Sequence, residues 1–297
     1  MRRFMTGAVA AAGGMLLATL AGSASVGYLD ADAGAAEDSA GEGGLDDRSA
    51  SPDGSVPAQE DSSGVDAGCD YGCVVLRDEP LVYLRFEDDV AATEARDSSA
   101  SQLHGRYPQA GASKGAPGIV PGSRAVQFAG AGPQAIRMPP SVNFDGPSPK
   151  FSVELWVKPD RLDGMQFIVD HEDFDPRGGW LVRTIDGRIG LELIKNETHL
   201  GTAEAPEPLT VGQWQHVVLS YDDESAIALI WIDGKLATTA PMPGGVSLVP
   251  TGEWSIGKQN CTPCQDFNFA GALDELAVYG RLLDQNIVDQ HYGAARP

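Results

Sequence analysis

The stretch FSVELWVKPD, residues 151–160, splits into two sets when read two residues at a time. Phe151, Val153, Leu155 and Val157 form one set; Ser152, Glu154, Trp156 and Lys158 form the other. Successive side chains of an extended chain point to opposite sides, so this alternation is the pattern of a strand with one face in a core. The outward set places a carboxylate and an indole two residues apart. It is read as the lining of a sheet surface or groove, with Glu154 and Trp156 as candidate ligand-binding residues.

Outward from this stretch, strand signals recur at short spacing after residue 80. PLVYLRFED, SRAVQFAG, QAIRMPP and QFIVDHED (166–173) are short apolar or alternating runs bounded by Gly or Pro. WLVRTIDGRIGLELI and IALIWIDGKLATTA each hold Asp-Gly between two apolar alternations, at Asp186-Gly187 and Asp233-Gly234. Asp-Gly supplies the positive φ angles of a two-residue hairpin turn. Residues 213–222 and 252–260 continue the series. AGALDELAVYG closes it, with Leu273, Glu275, Ala277 and Tyr279 expected on one face and Asp274, Leu276 and Val278 on the other. Residues 282–292 place Leu283, Ile287, Val288 and His291 on one side behind Asp284, an N-cap residue, and predict a short terminal helix. Many strands and one helix predict an all-β fold over 80–297: an antiparallel two-sheet jelly-roll sandwich with a short C-terminal helix. The chain shows no repeat of about 40–50 residues, which argues against a propeller.

The N-terminal part is different in kind. Residues 1–24 begin with Arg2 and Arg3, continue through an apolar run and end in small residues, the form of a secretory signal peptide; an uncleaved anchor is the alternative. Residues 25–79 carry 14 acids and two bases (Arg48 and Arg77) with few large apolar groups, which predicts a disordered acidic linker. The whole chain has a formal charge of −21. It offers no basic patch for nucleic acid or an anionic membrane, and no further run long enough to span a bilayer. The expected location is secreted, on the cell surface or periplasmic. Cys69, Cys73, Cys261 and Cys264 then predict two disulfides, with three pairings open. Their two close pairs also have the look of a zinc knuckle, which an oxidising compartment disfavours. Asn196-Glu197-Thr198 and Asn260-Cys261-Thr262 fit the N-glycosylation pattern, relevant only in a eukaryotic source.

FSVELWVKPD, GQWQHVVLSYDDESAIALIWIDGKLA, SIGKQN and FAGALDELAVYGRLLDQNIVDQHY resemble, in order and spacing, the laminin-G-like jelly-roll domains of the concanavalin A-like lectin/glucanase superfamily. VYLRFEDDVAATEARDSSASQLHG looks like that family's opening. The resemblance covers about 80–297 and implies two curved sheets, extracellular use and a glycan-binding or adhesive role. It also implies a structural Ca²⁺ between first and last strands: Asp274 occupies the matching position, with Glu87 or Asp88 and Asp97 as neighbours. Oxygen ligands of this kind suit calcium. GKQN (257–260) aligns with the loop where pentraxins place acidic calcium ligands, but holds Gln259 and Asn260 instead, so a pentraxin-like ligand calcium is not expected.

Candidate chemistry is sparse. Glycoside hydrolysis needs paired carboxylates, yet Glu154 has no acid at 152 or 156, and Glu192 and Glu197 fall on opposite faces of an ideal strand. Trp156, Trp214 and Trp231 are candidate sugar platforms, though such residues more often pack. His216 reads as a packed histidine. DHEDFDPRGGW (170–180) reads as a charged connection between strands, and His171, Asp173 and Arg177 are candidate ligand-binding residues. The expectation is a secreted, non-catalytic module recognising a glycan or cell-surface ligand. Its alternatives are an adhesion protein binding protein partners and, least favoured, a glycoside hydrolase.

Overall fold

A computed structural model describes residues 69–140, 149–174, 177–195, 198–245, 252–260 and 267–296. The expected signal peptide, the acidic stretch as far as residue 68, and Cys261 and Cys264 lie outside them. In chain order the elements are α1 (Tyr71–Arg77), β1 (Val82–Leu84), β2 (Glu94–Ala95), β3 (Gly105–Arg106), β4 (Ala112–Pro117), β5 (Arg124–Ala129), β6 (Ile136–Met138) and β7 (Lys150–Pro159). There follow β8 (Met165–Phe174), β9 (Arg177–Ile185), β10 (Arg188–Lys195), β11 (Thr198–Glu204), β12 (Gln215–Asp222), β13 (Ile227–Ile232), β14 (Lys235–Pro241), β15 (Trp254–Ile256), β16 (Ala270–Tyr279) and α2 (Gln285–Ala294).

The strands form two antiparallel sheets, as expected. One runs β14-β13-β12-β7-β16-β5-β4, with β1 also on β16; the other runs β11-β10-β9-β8-β15-β6-β3-β2. Phe151, Val153, Leu155 and Val157 point between the sheets into the main core, with Phe128, Trp180, Leu191, Leu219 and Trp254. Each such fully buried large side chain contributes about 2 kcal/mol. Both Asp-Gly hairpins form: Asp186 and Gly187 have φ +48° and +81°, Asp233 and Gly234 +52° and +78°, the twist that β9–β10 and β13–β14 require.

The alternation expected along β16 does not hold. Its pairing with β7 shifts register between Asp274 and Ala277, and Glu275 sits at φ +50°. The cause lies on the opposite edge. β5 pairs residues 270–273 and β1 pairs 276–278, so the strand changes partners across Asp274 and Glu275. A bulge takes up the mismatch. Leu273, Leu276 and Val278 therefore all face the main core, while Ala277 and Tyr279 face outward.

Two helices cover that outward face. α1 falls inside the stretch 25–79 read as linker, so its last part belongs to the fold. Asp70 caps it, accepting from the Cys73 amide at 2.9 Å, and the Cys69–Cys73 disulfide staples its first turn. α2 is capped as expected by Asp284, which accepts from the Ile287 amide at 3.0 Å. Val75, Val288 and Leu283 pack with Trp156, Val218, Trp231 and Tyr279 in a second, smaller core.

Candidate functional site

The outward set of β7 is therefore not a groove lining. Glu154 is 0% and Trp156 6% exposed, because α1 and α2 lie over them. The Glu154 carboxylate takes the Tyr279 hydroxyl at 2.7 Å, His216 Nε2 at 2.7 Å, His291 Nδ1 at 2.9 Å and the Tyr71 hydroxyl at 3.1 Å. Trp156 Nε1 donates to the Tyr71 oxygen at 3.0 Å. Burial alone would raise the Glu154 pKa; the His291 charge and the bonds from both histidines outweigh it and hold the carboxyl well below its usual range. Trp231 is buried with Nε1 on Gln285, and the Lys158 ammonium sits 4.8 Å over the Trp214 ring.

DHEDFDPRGGW is strand rather than loop: β8 runs to Phe174 and β9 starts at Arg177, so only 175–176 separate them. His171, 1% exposed, stacks on Trp180 at 5.0 Å and lies 5.2 Å from the Trp254 ring. It packs inside the sandwich and offers no face to a ligand. Asp173 and Arg177 stand opposite one another's neighbours at the hairpin end, and their side chains lie outside the described residues.

A concavity lies at the end of β1. Arg85, Phe86, Glu87, Asp88, Asp89, Ala92, Arg96, Ser98 and Arg124 line a cleft of about 510 Å³. Arg124 reaches the Glu87 carbonyl at 3.4 Å and pairs with Asp89 at 3.2 Å, while its amide donates to Glu87 at 3.1 Å. Asp88 takes the Tyr107 hydroxyl at 2.9 Å. Arg96 is exposed and its guanidinium has no ion-pair partner among the described residues. Phe86, at φ +57°, turns the chain into the cleft wall, an uncommon conformation for a bulky side chain.

Behind this wall lies Asp274, expected to hold calcium, with Glu275, which was not part of that expectation, beside it. Asp274 is buried and accepts from the amides of Ile119 and Glu275, both at 3.0 Å. Burial, then the Glu275 charge, push its pKa up to about 9. Glu275 takes the Tyr83 hydroxyl and stands 3.5 Å from Arg85 Nε; burial still raises it to about 7. Glu87 adds to the negative field at both. Adjacent desolvated carboxylates repel one another and so hold their protons more tightly than free acids. Asp97 does not belong to the set. Its two oxygens already take the amides of Tyr83, Ser99 and Leu103 and the Ser99 hydroxyl, all at 2.7–2.9 Å, which uses the four acceptor sites of a carboxylate. Among the described residues no three His, Cys, Asp or Glu side chains stand close enough to hold a metal by themselves, so backbone carbonyls would have to complete a shell.

Of the four cysteines, Cys69 and Cys73 are bonded to each other. Arg85, Arg96 and Arg124 were not legible as site residues, because they are separated along the chain and converge only where β1 and β5 meet β16.

A family model described as the concanavalin A-like lectin/glucanases superfamily matches residues 130–289. Among solved structures, the botulinum neurotoxin serotype G binding domain is similar at 18% identity and a TM-score of 0.56, covering 72% of this chain and 50% of that one. The binding domain of Paraclostridial Mosquitocidal Protein 1 is similar at 14% identity and TM-score 0.56, covering 73% and 52%. The botulinum neurotoxin serotype D ligand binding domain in complex with N-acetylneuraminic acid is similar at 13% identity and TM-score 0.54, covering 74% and 52%. The chain spans about half the length of these structures, and at such identities the likeness is one of fold. No curated protein sequence matches the chain. Among the described residues no helix is long and apolar enough to cross a membrane.

Proposed function

The chain belongs to the concanavalin A-like lectin/glucanases superfamily, and from that premise we propose that it is a secreted, non-catalytic module that binds glycan through the cleft at the end of β1. The observation that carries the reading is the cleft's lining: Arg85, Glu87, Asp88, Asp89, Arg96, Ser98 and Arg124 around about 510 Å³. That volume lies in the range of small-ligand sites. Guanidinium and carboxylate forks suit the closely spaced hydroxyls of a sugar, whereas a lipid or apolar peptide would leave them unpaired. The fold's occurrence in a ligand binding domain solved with N-acetylneuraminic acid supports a glycan over other polar ligands. A structural calcium at Asp274, beside Glu275 and Glu87, belongs to the same reading. It would neutralise the buried acids and fix the turn that shapes the cleft wall.

The test is a glycan array with the full secreted chain, followed by titration of the best ligand. Loss of binding in Arg96→Ala with an unchanged circular dichroism spectrum supports the cleft. Binding that survives Arg96→Ala but is lost in Arg177→Ala moves the site to the β8–β9 hairpin. No binding to any glycan, with capture by cell-surface protein in cross-linking, favours the adhesion alternative; turnover of a polysaccharide overturns the non-catalytic reading.

A further inference from the structure

The second core holds charge that glycan binding does not use. His291, with no solvent exposure, presents Nδ1 to Glu154 at 2.9 Å and Nε2 to Asp78 at 2.9 Å. Its ring thus spans β7 and the residue that ends α1. A histidine with a carboxylate on each nitrogen satisfies both only as the imidazolium, because the neutral ring has one N–H and aims a lone pair at the other acid. His216, which also reaches Glu154, has its Nδ1 buried with no hydrogen-bond partner among the described residues. A proton on Nδ1 would be an unsatisfied buried donor, so the arrangement suits the tautomer that gives its Nε2–H to Glu154. The groups facing His291 are Glu154 from β7, His216 from β12, Tyr279 from β16, and Tyr71 and Asp78 from α1 and its end. Arg281, between β16 and α2, reaches the cluster through Asp78. Within this group His291 is the charged group that joins the end of α1 to Glu154.

We propose that His291 is a proton-operated latch: as the imidazolium it ties Asp78 to Glu154, and when its proton leaves, α1 lifts from the sheet while the two sheets stay folded. α1 has seven residues, too few to be stable without its docking contacts. Its other ties are the Tyr71 bonds, the burial of Val75, the Asp70–Arg85 ion pair at 3.1 Å and the Arg281–Asp78 ion pair; both ion pairs are partly exposed and contribute little. Deprotonation leaves Glu154 and Asp78 with one positive charge fewer between them and an acceptor facing an acceptor. Burial works against the proton on His291, but Glu154 and Asp78 outweigh it and raise the pKa above the ordinary histidine value. A histidine raised on folding stabilises below its unfolded pKa, and that stabilisation is lost as pH rises through the folded one. Release therefore belongs to the alkaline side and uncovers the side of Trp156 against which Tyr71 now packs edge-on, while Tyr292 of α2 stays stacked on its other side.

The experiment is amide hydrogen exchange of the full chain by mass spectrometry from about pH 5 to pH 10, corrected for intrinsic exchange, with the His291 C2 proton followed by NMR. Protection of residues 72–78 should fall at least about tenfold through the His291 titration, while β7 and β12 stay protected. Asp78→Asn removes one of the two acids that hold the proton and should move both midpoints down by about one pH unit. His291→Gln should leave α1 unprotected at every pH; should it fail to fold, Asp78→Asn still decides. Protection of α1 that ignores pH, a midpoint unmoved in Asp78→Asn, or loss of sheet protection together with α1 overturns the latch.

Discussion

Glu154 and His291 meet at 2.9 Å with no solvent exposure on either side chain, one from the middle of β7 and the other from the last helix. The polar residue of the strand that decides the fold is thus a fixed point for both chain ends of the domain, through Tyr71 on α1 and His291 on α2. A carboxylate in this position is stabilised only while its donors stay in place, which makes the second core sensitive to single changes.

Glu154→Ala would leave four donors without an acceptor in a buried site. Breaking a buried charged network in this way costs about 3–5 kcal/mol, read as a lower urea midpoint. Glu154→Gln, which keeps one acceptor oxygen, should cost less. The pH dependence has a definite sign. A carboxyl whose pKa is depressed on folding contributes stability above its unfolded value, here 4.5, and loses it as pH falls toward the folded one. The gap in stability between wild type and Glu154→Gln should narrow in acid below about pH 4; a gap independent of pH would show that Glu154 is not charged in the native state.

The inner face of β7 was legible because burial between sheets imposes a period of two, and Asp186-Gly187 and Asp233-Gly234 were legible because a two-residue turn restricts φ locally. The outer face was misread because its cover comes from residues 70 positions or more away in sequence. The helix YGCVVLR, seven residues in a highly acidic stretch, is invisible to average composition. Asp274 was singled out from a resemblance, but the bulge beside it was not expected, since LDELAVY alternates well enough to pass as a regular strand. The exchange of β5 for β1 along one edge of β16 is a property of the assembled sheet. For the same reason the cleft arginines carried no signal: Arg85, Arg96 and Arg124 have no common spacing.

Asp274 and Glu275 predict a second pH effect and its reversal. Their folded pKa values, about 9 and about 7, lie above the unfolded 3.8 and 4.5. Acids raised on folding stabilise while protonated, so metal-free protein should lose melting temperature as pH rises from about 4 to about 9. Calcium binds the ionised forms. Calcium added after chelation should therefore raise Tm more at pH 8 than at pH 5, and Asp274→Asn should abolish that rise. An equal shift at both pH values, or none in wild type, removes calcium from the reading.

The Cys69–Cys73 bridge closes a ring with a sequence separation of four. On the chain-entropy account so small a loop stabilises by about 2 kcal/mol, less than bridges over long loops. Because it joins the residue before the N-cap of α1 to the helix's first turn, its effect should be local. The double variant Cys69→Ser with Cys73→Ser should quicken proteolysis next to residue 77 several-fold while the calorimetric Tm of the sandwich moves by only a few degrees. A collapse of Tm would mean that α1 is part of the global folding unit.

Gly234 tests the last contact of α2 with the sheet. It sits in the second Asp-Gly turn at φ +78°, and a Cβ there would come within 2.8 Å of Tyr292 Cδ1. Tyr292 in turn stacks on Trp156 at 6.0 Å and on His216 at 5.9 Å. Gly234→Ala therefore brings backbone strain of about 1 kcal/mol and a push on a ring that leads straight to the Glu154 network. The near-ultraviolet dichroism of the tryptophans should change together with a fall in stability of about 2 kcal/mol. Gly212→Ala serves as the control, since Gly212 has φ +72° and open space around it. It should show the backbone part of the loss and leave the aromatic signal as it is.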